Sequence, residues 1–198
     1  PLDQGAAVIR YALEQGVNFI DTAAAYRNFG YIRQALAGFP GKVIIASKTA
    51  ARTYQQAELD IQASLREMGL EQLDICHIHG ARVADPFVEQ EDVLRCLLDY
   101  QAKGYIRAVG ISTHYVSVVR QAARRSEIQV IHPLINQAGL GIIDGGAADM
   151  AAAIAEAHQM GKGIYAMKVL GGGNLLHSRE AAIGFVLGLP GVDAAVVG

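Results

Sequence analysis

The sequence has little cysteine: Cys76 and Cys96 are the only two among its 198 residues. They show neither the spacing of metal ligands nor the several pairs of a disulfide framework. We therefore expect no metal site and a reducing compartment, the cytoplasm. No apolar run is long enough to cross a membrane, and no signal-peptide pattern is present, which excludes a membrane protein at this stage.

The sequence also lacks an excess of charge of either sign. The formal net charge is -2, and acidic and basic residues are interspersed along the chain, so we expect no nucleic-acid partner and no membrane partner. Apolar residues make up 52% of the chain, which is typical of a globular protein with many buried elements. Because no linker-like or low-complexity stretch occurs, residues 1–198 are expected to form one domain of unknown oligomeric state.

What the chain does contain is a regular alternation of amphipathic helix patterns and short apolar strand patterns. Glycine, proline and capping residues mark the ends of these segments. Helices are predicted over 3–14, 29–37, 54–68, 88–102, 115–124, 147–160 and 178–187. Strands are predicted over 17–21, 42–48, 73–79, 106–110, 128–131, 163–167 and 194–197.

Seven strands that are apolar on both faces and joined by crossover helices indicate a parallel sheet covered on both sides. The regular spacing favours a closed barrel over a doubly wound sheet. A (β/α)8 barrel typically takes about 250 residues, and here a helix precedes the first strand. We therefore expect an incomplete (β/α)8 TIM barrel that lacks its first strand and the part after strand eight.

Ionisable residues end the first three predicted strands: Asp21, Lys48 and His79. In such barrels the chemistry lies at the carboxyl ends of the strands, and alternation along each strand lets these side chains point into the mouth. Tyr26 follows Asp21 by five residues and would lie above them. Two structural explanations stay open, since Asp21 could cap a turn and an Asp–Lys pair could be purely structural.

The four side chains suit the reduction of a carbonyl group. A phenol has a pKa of about 10, and a neighbouring ammonium such as Lys48 is expected to lower the pKa of Tyr26 towards the range useful for proton donation. Asp21 would hold Lys48 charged, and His79 could donate a hydrogen bond to the substrate oxygen. Because no side chain supplies a hydride, a nicotinamide cofactor is required.

Several stretches of the sequence resemble the aldo-keto reductase family. They are GVNFIDTAAAY at 16–26, ASK at 46–48, SLREMGLEQLD at 64–74 with His79, GYIRAVGIS at 104–112 and VVG at 196–198. The resemblance covers nearly the whole chain and implies the (β/α)8 fold. It also implies the catalytic tetrad Asp21, Tyr26, Lys48 and His79, in which Tyr26 donates the proton. The implied cofactor is NADP or NAD, with NADPH favoured as hydride source.

The resemblance also implies a cofactor site, with two departures from the family pattern. His132 stands where the family has a glutamine, and Met167 stands where the family has an aromatic residue against the nicotinamide. The glycine-rich loop at 168–173 resembles the loop that holds the pyrophosphate, with Lys168 adding charge. The residues implied to contact the cofactor are Ser112, Thr113, Asn136, Met167, Leu170, Gly171 and Gly173.

Two short motifs are similar to those of a subgroup that carries an iron–sulfur domain after the barrel: STH at 112–114 and KVLGGG at 168–173. Such a domain would lie beyond Gly198.

In the family, a loop and helix after strand eight hold the adenosine part of the cofactor. We therefore expect these 198 residues by themselves to bind NADPH weakly and to be weakly active or inactive.

The leading hypothesis is NAD(P)H-dependent reduction of a small-molecule aldehyde or ketone. A Schiff-base lyase that uses Lys48 or Lys168 as nucleophile would explain a lysine in the mouth, although not the residues around it. A third hypothesis is a regulatory or redox-sensing subunit that binds the cofactor without turnover.

His77 shares a strand face with His79 but lies deeper, so it is interpreted as a core histidine.

Overall fold

The computed structural model describes residues 2–197, in which eight helices alternate with the strands of one sheet. Three single 3-10 turns, Ala24–Tyr26, Gly171–Gly173 and Leu176–Ser178, lie in the loops that follow strands. The helices are α1 (Leu2–Glu14), α2 (Phe29–Leu36), α3 (Tyr54–Met68), α4 (Pro86–Glu89), α5 (Glu91–Ala102), α6 (Val116–Ala123), α7 (Ala147–Gln159) and α8 (Arg179–Leu187).

Seven strands form the sheet, and every neighbouring pair is parallel and in chain order. This arrangement confirms the prediction of an incomplete (β/α)8 barrel. The strands are β1 (Phe19–Asp21), β2 (Ile44–Thr49), β3 (Leu73–His79), β4 (Ile106–Thr113), β5 (Val130–Pro133), β6 (Gly163–Ala166) and β7 (Ala194–Ala195).

Alternation along the strands divides the sheet into an outer and an inner face. Outer residues such as Cys76, Ile78 and Ile111 are buried in one large apolar core against the helices. Inner residues at the lower level, among them Ala46 and Ile75, form a second and smaller apolar cluster. The upper level of the inner face, near the carboxyl ends of the strands, is polar.

The sheet curls so that strands distant in order meet across its interior. The rings of Phe19 on β1 and Tyr165 on β6 lie with centroids 4.7 Å apart. The Tyr165 hydroxyl donates a hydrogen bond of 2.9 Å to Asp21, also on β1. Side chains from opposite walls therefore fill the interior, as expected of a packed barrel core rather than a pore.

Several strand boundaries differ from the predicted ones because neighbouring turns use the backbone groups. The first strand begins two residues later than predicted, since the Val17 amide bonds back to Ala12 at the end of α1. The fifth strand begins at Val130 because the Ile128 amide bonds to Arg125 in the turn after α6. The fourth strand extends to Thr113, which pairs with Pro133.

Two helix predictions also need correction. The helix predicted over 88–102 is divided in two at Gln90, whose buried side chain donates 3.0 Å to the Ala51 carbonyl. The first helix begins at Leu2, so Asp3 lies in its first turn and bonds to Gln34 on α2. Thr53 caps α3, because its hydroxyl accepts a hydrogen bond from the Gln56 amide. Within residues 2–197, no helix combines the length and apolarity of a membrane span.

Candidate active site

Three strand ends and one turn bring the predicted tetrad to the same end of the barrel. Asp21 ends β1, Lys48 lies near the end of β2 and His79 ends β3. Tyr26 closes the 3-10 turn that follows β1. Because all the strands are parallel, their carboxyl ends share one mouth, and the four side chains meet there.

Asp21 and Lys48 form a buried ion pair at the base of this mouth. The Lys48 Nζ lies 2.5 Å from Asp21 Oδ2 and also donates 2.8 Å to the Thr22 carbonyl. The side chain of Lys48 is 1% exposed and that of Asp21 is 13% exposed. Burial lowers the pKa of Lys48, while Asp21 acts in the opposite direction. Two acceptors therefore hold the ammonium in a fixed position.

Tyr26 lies above the ion pair and is half exposed to solvent. The Lys48 Nζ is 5.1 Å from the centroid of its ring, and the His79 ring meets it edge-on with centroids 6.1 Å apart. Partial burial and then the Asp21 charge raise the pKa of Tyr26. The expectation of a lowered pKa was therefore wrong in direction, because burial and then the Asp21 charge both favour the neutral phenol.

His79 completes the constellation on the third strand. Burial and then the Lys48 charge lower the pKa of His79, so its imidazole is neutral at pH 7. A neutral imidazole has one N–H donor and one bare nitrogen. The site therefore presents two donors to a ligand, the Tyr26 hydroxyl and one His79 ring nitrogen.

A cavity of about 200 Å³ opens at this mouth beside Asp21 and Tyr26. Three residues of the predicted cofactor site, Met167, Leu170 and Gly173, also line this cavity, whereas Gly171 is buried and does not. Lys168 also lines the cavity, and its φ of 55° is in the left-handed region that a lysine rarely adopts. Such local strain is concentrated at functional sites.

The remaining predicted cofactor residues have different surroundings. Ser112 is fully buried on the inner face, and its hydroxyl has no hydrogen-bond partner within residues 2–197. Thr113 lies on the outer face, where its hydroxyl accepts 3.1 Å from the Tyr115 amide. Asn136 uses both ends of its side-chain amide to bind the Leu140 backbone, at 2.9 and 3.0 Å. Of these three, Ser112 alone has an unused polar group directed inward.

Three further polar residues lie directly beneath the tetrad on the inner face: His77, His132 and Tyr165. Each is at most 2% exposed. The Tyr165 hydroxyl lies 2.9 Å from Asp21 Oδ1 and 2.6 Å from His77 Nε2, while the His132 ring stacks on Tyr165 at 3.9 Å. His77 is a core histidine as interpreted, but Tyr165 was missed. Its signal in the sequence was its place on the inner face of β6, two residues before Met167.

Comparisons with known proteins are consistent with this geometry. Residues 1–184 match a family model described as the aldo/keto reductase family. An aldo-keto reductase from Mycobacterium marinum is 31% identical over 150 residues, covering 68% of this chain and 51% of that protein. A 2,5-diketo-D-gluconic acid reductase B from a Corynebacterium species is 28% identical over 150 residues, covering 70% and 53%.

A solved structure of an aldo-keto reductase from Klebsiella pneumoniae in complex with NADPH has the same fold. It superposes with a TM-score of 0.77 at 21% identity, covering all of this chain and 75% of that chain. The chain spans about half the length of the curated relatives it matches.

Proposed function

Because the chain belongs to the aldo/keto reductase family, we propose that its barrel mouth reduces an aldehyde or ketone carbonyl with NADPH or NADH. The observation that carries this proposal is the juxtaposition of Tyr26 with the Asp21–Lys48 ion pair. A phenol that can donate a proton lies beside a fixed cation, at the rim of a cavity. His79 adds a second donor to the same place.

Tyr26 acts as the general acid in this proposal. Its raised pKa keeps the phenol protonated at neutral pH, so it has a proton to transfer to the carbonyl oxygen. The transfer leaves a phenolate, whose negative charge is stabilised by the Lys48 ammonium at 5.1 Å from the ring centroid. Asp21 and the Thr22 carbonyl keep that ammonium protonated and in place.

His79 orients the substrate. Since its lowered pKa makes it neutral, it donates one N–H to the carbonyl oxygen without competing with Tyr26 as an acid. The edge-on contact of the two rings places both side chains at the same side of the mouth. A carbonyl oxygen held there is positioned for protonation by Tyr26.

A bound nicotinamide supplies the hydride in this reaction. The buried and unpartnered hydroxyl of Ser112 fits a ligand with a polar amide, and the loop from Lys168 to Gly173 fits a pyrophosphate. Gly171, Gly172 and Gly173 all have positive φ, which glycine adopts without steric cost. The complex of the Klebsiella aldo-keto reductase with NADPH further supports NADPH as the cofactor.

The other two hypotheses receive less support. A Schiff-base lyase needs a neutral, free amine, whereas Lys48 is held by a carboxylate and a carbonyl. Lys168 is exposed at the cavity, and no ion pair or side-chain hydrogen bond holds its ammonium within residues 2–197. A sensor that binds the cofactor without turnover fits the same geometry, so activity measurements are needed to separate it from an enzyme.

The test is NADPH consumption by the purified protein with a panel of aldehydes, ketones and sugar keto acids, the last suggested by the Corynebacterium relative. We expect Tyr26→Phe to lower kcat by at least about a hundredfold, because it removes the proton donor. Cofactor affinity, measured by fluorescence titration, should stay within about twofold of the native value.

Tyr105→Phe is the matched control, since Tyr105 is a half-exposed phenol outside the tetrad. It should leave both quantities unchanged. Full activity in Tyr26→Phe would contradict the assignment of the acid and move it to His79. Cofactor binding without turnover of any carbonyl would instead support the sensor.

A further inference from the structure

The Asp21 carboxylate has partners on both of its oxygens. Oδ2 receives the Lys48 ammonium at 2.5 Å, and Oδ1 receives the Tyr165 hydroxyl at 2.9 Å. The same hydroxyl lies 2.6 Å from His77 Nε2. A continuous chain of polar contacts therefore runs from His77 on β3, through Tyr165 on β6, to the ion pair beneath Tyr26.

The single proton of the Tyr165 hydroxyl fixes the direction of this chain. An ionised carboxylate only accepts, so Tyr165 must donate to Asp21. The Tyr165 oxygen then accepts from His77, which requires a proton on Nε2 and leaves Nδ1 bare. Consistent with this assignment, His77 Nδ1 is buried and finds no donor or acceptor within the described part of the chain. Both hydrogen bonds point towards the negative charge of Asp21.

His132 lies close to Asp21 but does not donate a hydrogen bond to it. Its Nδ1 is 2.7 Å from the Tyr165 backbone carbonyl, so that nitrogen carries the ring proton. Its Nε2 is therefore an acceptor, and it lies 3.8 Å from Asp21 Oδ1, too far for a hydrogen bond. Among residues 2–197, Tyr165 is thus the one side-chain donor to Asp21 Oδ1.

The neighbouring strand leaves room for this arrangement. Gly110 on β4 is paired with His77 in the sheet, and a Cβ at that position would overlap the His77 ring and the Val130 carbonyl. Glycine at 110 therefore allows an imidazole to stand at the level of the ion pair. The His132 ring stacks on Tyr165 and the Phe19 ring packs against it at a tilt, so both restrict the position of Tyr165.

We propose that His77 and Tyr165 are positioning residues that hold Asp21 in register with Lys48 and share its negative charge, so that Lys48 can stabilise charge on Tyr26. The proposal rests on the proposed function, because it concerns the same proton transfer. Neither residue touches the substrate. Their effect reaches the reaction through Asp21 and Lys48, since hydrogen bonds to a carboxylate weaken its hold on a neighbouring cation.

The first experiment tests the hydrogen bonds from His77 through Tyr165 to Asp21 directly and needs neither cofactor nor substrate. Nitrogen-15 NMR of labelled histidine distinguishes the two neutral tautomers, and His77→Gln and His132→Gln identify the two signals. We expect His77 to carry its proton on Nε2 and His132 on Nδ1. A proton on Nδ1 of His77 would overturn the proposal, because Tyr165 could then not receive a hydrogen bond.

The second experiment measures the effect on the reaction. Tyr165→Phe keeps the ring and removes the donor to Asp21, so we expect kcat to fall about five- to tenfold with KM nearly unchanged. Tyr100→Phe is the matched control, because Tyr100 is also buried and hydrogen-bonded, to Gln62 and Glu58, far from the mouth. It should keep the native kcat.

His77→Leu gives an independent measurement if Tyr165→Phe does not fold. It should lower kcat in the same direction by a smaller factor, since Tyr165 still donates to Asp21. Native kcat in a folded Tyr165→Phe or His77→Leu would overturn the positioning role. Absence of carbonyl reduction by the native protein when it is saturated with NADPH would refute the proposed function instead, and the tautomer measurement would still decide whether the hydrogen bonds from His77 through Tyr165 to Asp21 exist.

Discussion

The two faces of the barrel sheet are built from the same seven strands but differ in composition, since the outer face is mainly apolar and the inner face is polar near the mouth. On the outer face, the central strand residues are aliphatic or cysteine and pack against the helices. On the inner face, the level nearest the mouth holds Asp21, Lys48, His77, His132 and Tyr165. The outer face stabilises the fold by burying apolar surface. The inner face buries polar groups, which costs free energy unless those groups are paired or hydrogen-bonded.

This difference shows how a buried polar layer is tolerated. Lys48 is neutralised by Asp21, Tyr165 donates to Asp21, and His77 and His132 are neutral because burial lowers their pKa values. Asp21, Lys48 and Tyr165 therefore depend on specific partners, whereas an outer aliphatic residue depends on shape and volume. Substitutions on the two faces should accordingly differ in kind.

The largest effect is expected from breaking the inner ion pair. Lys48→Met leaves the Asp21 charge buried without its cation, which should lower the free energy of unfolding by about 4 kcal/mol. Activity should fall by at least about a hundredfold, because no cation remains beside Tyr26. Denaturant unfolding and steady-state kinetics measure the two losses.

Two variants test whether burial explains the large loss of stability expected when the Lys48–Asp21 ion pair is broken. Adding Asp21→Asn to Lys48→Met should restore part of the stability and none of the activity, since the uncompensated charge is gone. Arg52→Ala removes an exposed pair in which Arg52 lies 3.0 Å from Glu89, and it should change stability by less than about 1 kcal/mol. Equal losses of stability for Lys48→Met and Arg52→Ala would show that the buried ion pair matters no more for stability than the exposed one.

The next effect is a dependence of stability on pH that comes from the inner face. Burial lowers the pKa of His132 to about 4 from 6.5, so between these pH values the unfolded chain binds a proton that the folded chain does not. Stability therefore rises with pH across this window and is complete above it. His132→Gln should reduce the stability change between pH 6.5 and pH 4 by on the order of 3 kcal/mol.

Denaturant unfolding at a series of pH values checks this expectation. His77 and His114 act in the same direction, because burial lowers both of their pKa values, so some pH dependence should remain in His132→Gln. An unchanged profile in His132→Gln would mean that folding does not lower the pKa of His132.

The smallest effect is expected on the outer face. Ile111→Val removes one methylene group from a fully buried side chain on β4 and should cost about 1 kcal/mol of stability. Its kcat and KM should be those of the native protein, since Ile111 faces away from the mouth. A change in kcat larger than about twofold would show that the two faces are coupled through the strand.

The order of elements, the parallel barrel and the meeting of Asp21, Tyr26, Lys48 and His79 could be predicted from the sequence. Each depends on local patterns: apolar strands between helices, alternation along a strand, and a polar residue at the strand end. A side chain placed by its own strand keeps its direction whatever lies opposite. For the same reason His77 was correctly assigned to the core.

Only the tertiary structure decided which groups those side chains meet. Tyr165 lies 144 residues from Asp21 and 88 from His77, and no local pattern brings them together. The pKa of Tyr26 depends on its depth and on the balance between Asp21 and Lys48, which a sequence does not contain. The position of Asn136 in the sequence likewise does not show that its side-chain amide binds the Leu140 backbone. Contacts across a curled sheet depend on the curvature, and curvature is a property of all seven strands together.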